Sequence, residues 1–202
     1  IPIKEEYLLT GKLEKTNEAY AISKIAGIKL CSILHEDYKK DVVCLMPTNV
    51  YGLNDNFDIK SSHVIPGLIS KFVHAKINNK DVNIWGTGKP IREFIHVEDL
   101  ANAIYISLKT SKKTLNQIFK KSLPLMNVGS GDHISIKKLA LEIKKIIKFK
   151  GRIIYDTKYP DGTINKNLNS SLIKKLKWKT KIKFLSGLKE IVNERLKKSK
   201  NK

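Results

Sequence analysis

The chain has 202 residues, of which 41% are apolar, so it can bury a real core and reads as one globular domain or a domain and a half. Its net charge of +20 raises nucleic acid as a partner, but only Arg92, Arg152 and Arg195 of the 39 basic residues are arginine and the lysines are scattered, so no nucleic-acid surface is expected. No apolar run nears the roughly 20 residues of a membrane span and no basic leader opens the sequence, so a soluble cytoplasmic protein without a membrane partner is expected.

Residues 1 to 16 lack sustained periodicity and read as an irregular lead-in, with Thr16 or Asn17 available as a cap. A helix is predicted from Glu18 to Asp37. Its first half is apolar on nearly every side, with Ala21, Ile25 and Ile28 on one stripe, which predicts packing on several faces. Val42 to Met46 is a short, continuous apolar run that reads as a parallel strand covered on both sides. It ends in Pro47, Thr48 and Asn49. Ligands of open α/β sheets lie beyond the carboxyl ends of strands, so this corner is the expected position of a cofactor or substrate.

A polar loop to Ser62 precedes a helix from Val64 to Ala75 and short strands at Val82–Trp85 and Glu93–Ile95. A helix over Glu98–Leu108 follows, opened by an acidic pair suited to its N-terminal dipole. Thr110 to Leu123 is polar and Lys-rich and reads as a loop or a poorly ordered helix end. The NVGSG run at Asn127–Gly131 is a turn after a strand, followed by a helix over Ile136–Ile147 and a strand over Arg152–Tyr155. Pro160 to Thr163 is a turn. Helices near Ser170–Leu176 and Ser186–Leu196 and a fraying tail over 197–202 complete the prediction. There are no repeats, and no glycine-rich phosphate turn follows any strand.

Cys31 and Cys44 are the only cysteines. Without a CxxC or a histidine cluster they read as reduced, buried thiols, and no metal site is expected. Tyr20 and Lys24 form a YxxxK pair, which a helix places on one face a turn apart. A phenol needs a nearby cation to act near neutral pH. Tyr105 and Lys109 repeat the spacing, but only Tyr20 opens a helix leading to the Pro-Thr-Asn corner. His63, between a polar loop and a helix, is a candidate acid or base. His96 reads as orienting backbone at a helix start, and His35, His74 and His133 as surface residues. Arg92 could grip a diphosphate with two parallel hydrogen bonds or form an ion pair with Glu98 or Asp99. Asp161 reads as a turn residue.

The ordered phrases YAISKIAGIKLC, MPTNVYG, DNF, SSHVIPGLISKF, IWGTGKPIREFIHVEDLA, NVGSG and YPDGT resemble the extended short-chain dehydrogenase family of nucleotide-sugar enzymes, in its GDP-L-fucose synthase branch. The resemblance implies an α/β fold: the C-terminal part of a Rossmann-type doubly wound parallel sheet (1–53 and 95–130) with a smaller α/β substrate domain (54–94 and 131–196). It implies NADP(H) as cofactor, a GDP-sugar substrate, epimerisation beside a ketone followed by its reduction, and a homodimer. By position it implies that Tyr20 donates the proton to the reduced carbonyl, Lys24 lowers the tyrosine pKa and binds the nicotinamide ribose, and His63 moves protons at the sugar carbons. Pro47, Thr48, Asn49 and Val50 correspond to cofactor contacts, with Tyr20, Lys24 and His63 also at the cofactor. Asn49, Lys71, Trp85, Arg92 and Asp161 correspond to substrate positions. The family's glycine-rich turn, its catalytic Ser or Thr and a catalytic Cys are expected upstream of Ile1, with neither Cys31 nor Cys44 matching that cysteine, so the isolated chain is expected to be inactive.

Overall fold

The structure, a computed structural model, describes residues 1–59, 61–119 and 123–200. Along the chain run α1 (Glu18–Glu36), β1 (Cys44–Pro47), β2 (Asn49–Tyr51), α2 (Val64–Ile77), β3 (Val82–Trp85), β4 (Ile91–His96) and α3 (Val97–Lys109). They are followed by α4 (Lys112–Phe119), β5 (Leu125–Val128), β6 (His133–Ser135), α5 (Ile136–Ile147), β7 (Ile153–Asp156), α6 (Ser171–Lys174) and α7 (Phe184–Lys200). Two 3-10 turns, Glu5–Tyr7 and Lys15–Asn17, lie in the lead-in. Asn17 takes the cap position of α1, but its side chain makes no capping bond.

Pairing is parallel in β1–β5, β2–β4 and β3–β7 and antiparallel in β4–β6. Each parallel pair is separated in sequence by at least one helix, the long crossover that parallel pairing requires. In β1–β5, Cys44 lies opposite Leu125 and Pro47 opposite Val128, so both strands reach their carboxyl ends together.

Helix periodicity decides what lies beneath the strands. Along α2, Ile65, Leu68, Ile69, Phe72 and Val73 follow the spacing of one face, and all are buried. They meet Leu139, Ala140, Ile143 and Ile147 of α5 and Leu188, Ile191 and Val192 of α7 in one apolar cluster under β3. Ser135 caps α5 by accepting from Lys138 N at 3.2 Å, and Lys148 ends it in a left-handed conformation with φ 54°. A second cluster joins Ile95, Ala103, Met126, Val128, Ile173 and Trp178.

Three sequence readings need correction. The inward stripe of α1 is half-buried, but only Ser32 is fully buried, and Tyr20, Ile22, Leu30 and Ile33 stand 48% to 61% exposed. Among the described residues one side of this helix alone finds protein to pack on, because apolar composition signals burial without specifying a partner. The stretch read as a loop contains α4, in which Leu115 and Phe119 insert into the second cluster and tertiary burial overrides the Lys-rich surroundings. The last helix, expected to end near Leu196, runs as α7 through Lys200. Residues 120–122, within the expected loop, and 201–202, within the expected tail, lie outside the described residues.

Candidate active site

The corner after β1 is held from behind. Thr48 N donates to Val128 O at 3.0 Å, the Thr48 hydroxyl to Glu93 O at 2.9 Å, and Asn49 Nδ2 to the same carbonyl at 2.8 Å. Both side chains therefore fasten the corner to β4, while Pro47 and Asn49 stay exposed and the half-buried Val50 packs against the second apolar cluster.

Glu93 organises this region, and sequence reasoning missed it. Its carboxylate is fully buried. One oxygen accepts from Gly131 N at 2.7 Å and the other from Leu168 N at 3.0 Å. Gly129 donates to Ser170 Oγ at 2.8 Å, and a Cβ at Gly129 would strike the Glu93 carboxylate, so only glycine fits. Asn127 extends the knot, its Nδ2 donating to Ile3 O at 3.0 Å and Asn169 O at 3.1 Å. The available signal was a carboxylate directly before the apolar pair Phe94–Ile95 of β4.

On α1, Lys24 Nζ lies 5.3 Å from the centre of the Tyr20 ring. The second pair has similar geometry, with Lys109 Nζ 5.9 Å from the Tyr105 ring, so pair geometry does not separate them. Among the described residues no hydrogen bond joins the Tyr20 or Lys24 side chain to Pro47–Val50. His63 is the cap residue of α2, exposed, and its imidazole makes no capping bond. His96 does orient backbone: it is buried at the start of α3 and Nδ1 accepts from Glu98 N at 3.3 Å.

Of the expected substrate residues, Lys71, Trp85, Arg92 and Asp161 gather around the Trp85–Thr87 and Asp161–Thr163 turns, whereas Asn49 is bonded back to β4. Lys71 of α2 donates to Asn83 O at 3.1 Å and places Nζ 5.1 Å from the centre of Trp85 at the end of β3. Burial lowers the Lys71 pKa from its ordinary value. Arg92 Nη1 donates to Ile91 O at 2.8 Å and Thr163 O at 2.7 Å, while Nη2 makes no hydrogen bond among the described residues. Among the described residues no ion pair joins Arg92 to Glu98 or Asp99. Asp99 instead accepts from Lys181 N at 2.8 Å and Ile182 N at 3.1 Å, so this half of the acidic pair is a buried clip and not an exposed dipole partner.

Asp161 locks two turns together. Oδ1 accepts from Thr87 N at 2.8 Å and Oδ2 from the Thr87 hydroxyl at 2.6 Å, and these bonds, the hydroxyl first, hold its carboxyl below the ordinary value. Gly86, at φ 76°, brings backbone so close that a Cβ would collide with Asp161. Thr87 was therefore missed as a positioning residue, and Asp161 offers its carboxylate to protein before any ligand. Cys31 and Cys44 are half-buried; burial, reinforced by Cys31, pushes the Cys44 thiol up to about 12. Among the described residues no group of His, Cys, Asp or Glu could hold a metal, and no helix is long and apolar enough to cross a membrane.

Parallel strands joined through helices, with a polar corner at their carboxyl ends, define an α/β protein of the Rossmann-like kind. The chain belongs to the NAD dependent epimerase/dehydratase family, whose model matches residues 1–120. It is 46% identical over 188 residues to the putative GDP-L-fucose synthase 2 of Arabidopsis thaliana, covering 93% of this chain and 55% of that protein. It is similar in structure to a GDP-6-OMe-4-keto-L-xylo-heptose reductase from C. jejuni, with TM-score 0.89 and 34% identity over 98% of this chain and 66% of that one. It is also similar to a GDP-L-fucose synthetase from Naegleria fowleri bound to NADP, with TM-score 0.83 and 27% identity over 98% of this chain and 62% of that one. The chain thus spans about half the length of the curated relative. The family resemblance and the α/β class read from the sequence both hold.

Proposed function

We propose that the whole protein is a GDP-L-fucose synthase, which epimerises GDP-4-keto-6-deoxy-D-mannose at the carbons flanking its ketone and then reduces the ketone with NADPH. The observation that carries this reading is the convergence of Lys71, Trp85 and Arg92 around one turn, with Nη2 of Arg92 open. Indole stacking for a base and cations for a diphosphate are the complement of a GDP group. The relatives' names supply the particular sugar.

Tyr20 and Lys24 fit the cofactor, because their exposed hydroxyl and ammonium make no competing hydrogen bonds among the described residues and can meet a ribose diol and a carbonyl oxygen. NADPH supplies the hydride when bound. Lys24, a turn away, binds the nicotinamide ribose, and Tyr20 donates its proton to the carbonyl oxygen. The ketone acidifies the hydrogens on its neighbouring carbons, and the unengaged imidazole of His63 takes or returns them. Pro47 to Val50 border the cofactor. Within this reading residues 1–53 and 95–130 belong to the cofactor-binding half and 54–94 and 131–196 to the substrate half, the protein is a cytoplasmic homodimer, and Asp161 acts by holding the substrate turn.

The full-length enzyme tests the assignment. With the keto sugar in deuterated water, wild type oxidises NADPH and incorporates deuterium beside the ketone. Tyr20→Phe is expected to lose NADPH oxidation, and His63→Gln to lose deuterium exchange. Wild-type reduction by the first variant or wild-type exchange by the second refutes the corresponding role.

A further inference from the structure

Trp85 does not stand alone at the end of β3. β3 and β7 run parallel with Trp85 opposite Asp156, so the chain leaves β7 beside the indole. Asp156 then closes a turn, with Oδ1 accepting from Lys158 N at 3.1 Å and its carbonyl from Tyr159 N at 3.3 Å. The turn returns Tyr159 over the indole, ring centres 4.6 Å apart and planes 17° from parallel. Two residues later the Asp161–Thr87 clip pins the chain again, so the phenol ring is held from both sides.

Both rings remain wet, Trp85 being 64% and Tyr159 45% exposed. A near-parallel aromatic pair left open to solvent beside Lys71 has the chemistry to accept a third planar group carrying negative charge. We propose that Tyr159 is the second wall of the nucleobase subsite, backing Trp85 so that the base of a purine nucleoside diphosphate adds to a stack already formed. This rests on the reading of Trp85 as the base-stacking residue given above. Tyr159 fixes the plane of the indole before ligand arrives, and the part of it that acts is the ring and not the hydroxyl. Stacking does not read the hydrogen-bonding edge of a base, so Tyr159 contributes affinity for purines in general, and discrimination between them lies elsewhere.

Calorimetric titration of the full-length protein saturated with NADPH tests this, using GDP, IDP and inorganic pyrophosphate as probes. Tyr159→Ala is expected to weaken GDP and IDP by the same factor, roughly 3- to 10-fold from the strength of aromatic pairs, and to leave pyrophosphate affinity unchanged. Tyr159→Phe is expected to bind all three as wild type does. Unchanged or tighter GDP binding by Tyr159→Ala overturns the proposal, as does an equal loss for pyrophosphate, which would mean that the turn itself had collapsed. Trp85→Ala separates the two readings: if it binds GDP like wild type, the base site of the proposed function is wrong, whereas a loss there with none in Tyr159→Ala sinks only the role of Tyr159.

Discussion

Glu93→Gln tests whether one carboxylate organises the turns around the site. The side chain is fully buried and divides its two oxygens between Gly131 N at 2.7 Å and Leu168 N at 3.0 Å. Glutamine preserves the shape but turns one acceptor into an NH2 group facing a backbone donor. One hydrogen bond disappears, and the stranded donor costs about 1–3 kcal/mol. The surviving bond loses its charge assistance and about half its strength, which brings the total to roughly 2–4 kcal/mol. For a chain of this size each kcal/mol moves Tm by about 2–4 °C, so a fall of roughly 5–15 °C is expected. Urea unfolding followed through Trp178, which is buried against Asp99 O with a 3.2 Å bond from Nε1, should report the same loss independently. A Glu93→Gln protein within about 0.5 kcal/mol of wild type, the range of ordinary surface substitutions, refutes the reasoning.

Lys148 holds φ 54° at the end of α5, a conformation glycine adopts without penalty, so Lys148→Gly is expected to raise stability by about 0.5–1 kcal/mol in the same urea titration. The Thr87 hydroxyl and amide hold the Asp161 carboxyl below its ordinary value of 3.8. Its folded pKa is thus depressed, so the contribution is complete above the unfolded value and is lost as acid carries the pH down through the folded one. Near-UV circular dichroism of the Trp85–Tyr159 pair should therefore hold from neutrality to about pH 4 and decline below it, and Thr87→Val should move that decline to higher pH. An unchanged midpoint in Thr87→Val would show that the clip does not govern the turn.

Where one element carries its own pattern, the sequence was sufficient. The α2 and α5 faces, the run VNIW and the short apolar strand before Pro47 announce themselves by spacing, and their observed bounds lie within about two residues of the expected ones. β2 and β6 did not, because three residues carry too little pattern and each strand exists only through pairing with β4. α4 was hidden for a related reason, since its helix is decided by where Leu115 and Phe119 land. The candidate site divides in the same way. Residue types with intrinsic chemistry, such as Tyr20, His63 and Arg92, could be singled out in advance, and Trp85 came from the family resemblance. Glu93, Thr87 and Tyr159 could not, because their partners lie 38 to 75 positions away and no local rule connects them.

The distribution of partners explains how so basic a chain keeps its turns in register. With 39 basic residues available, Glu93, Asp99 and Asp161 nonetheless bond to backbone N–H groups or a hydroxyl and not to lysine. The ion pairs among the described residues lie at the surface, as in Lys112 with Asp41 at 3.0 Å and Lys166 with Glu14 at 2.8 Å, where salt screens them and each is worth little. A lysine paired with Glu93 would have to lose its hydration and order a long side chain in the interior. The amides of Gly131 and Leu168 are already there and would otherwise be stranded. Each such carboxylate therefore satisfies two donors, and Glu93, whose donors come from separate segments, fixes their spacing in one step. The many surface lysines can vary around that frame without moving the turns that carry Trp85 and Arg92.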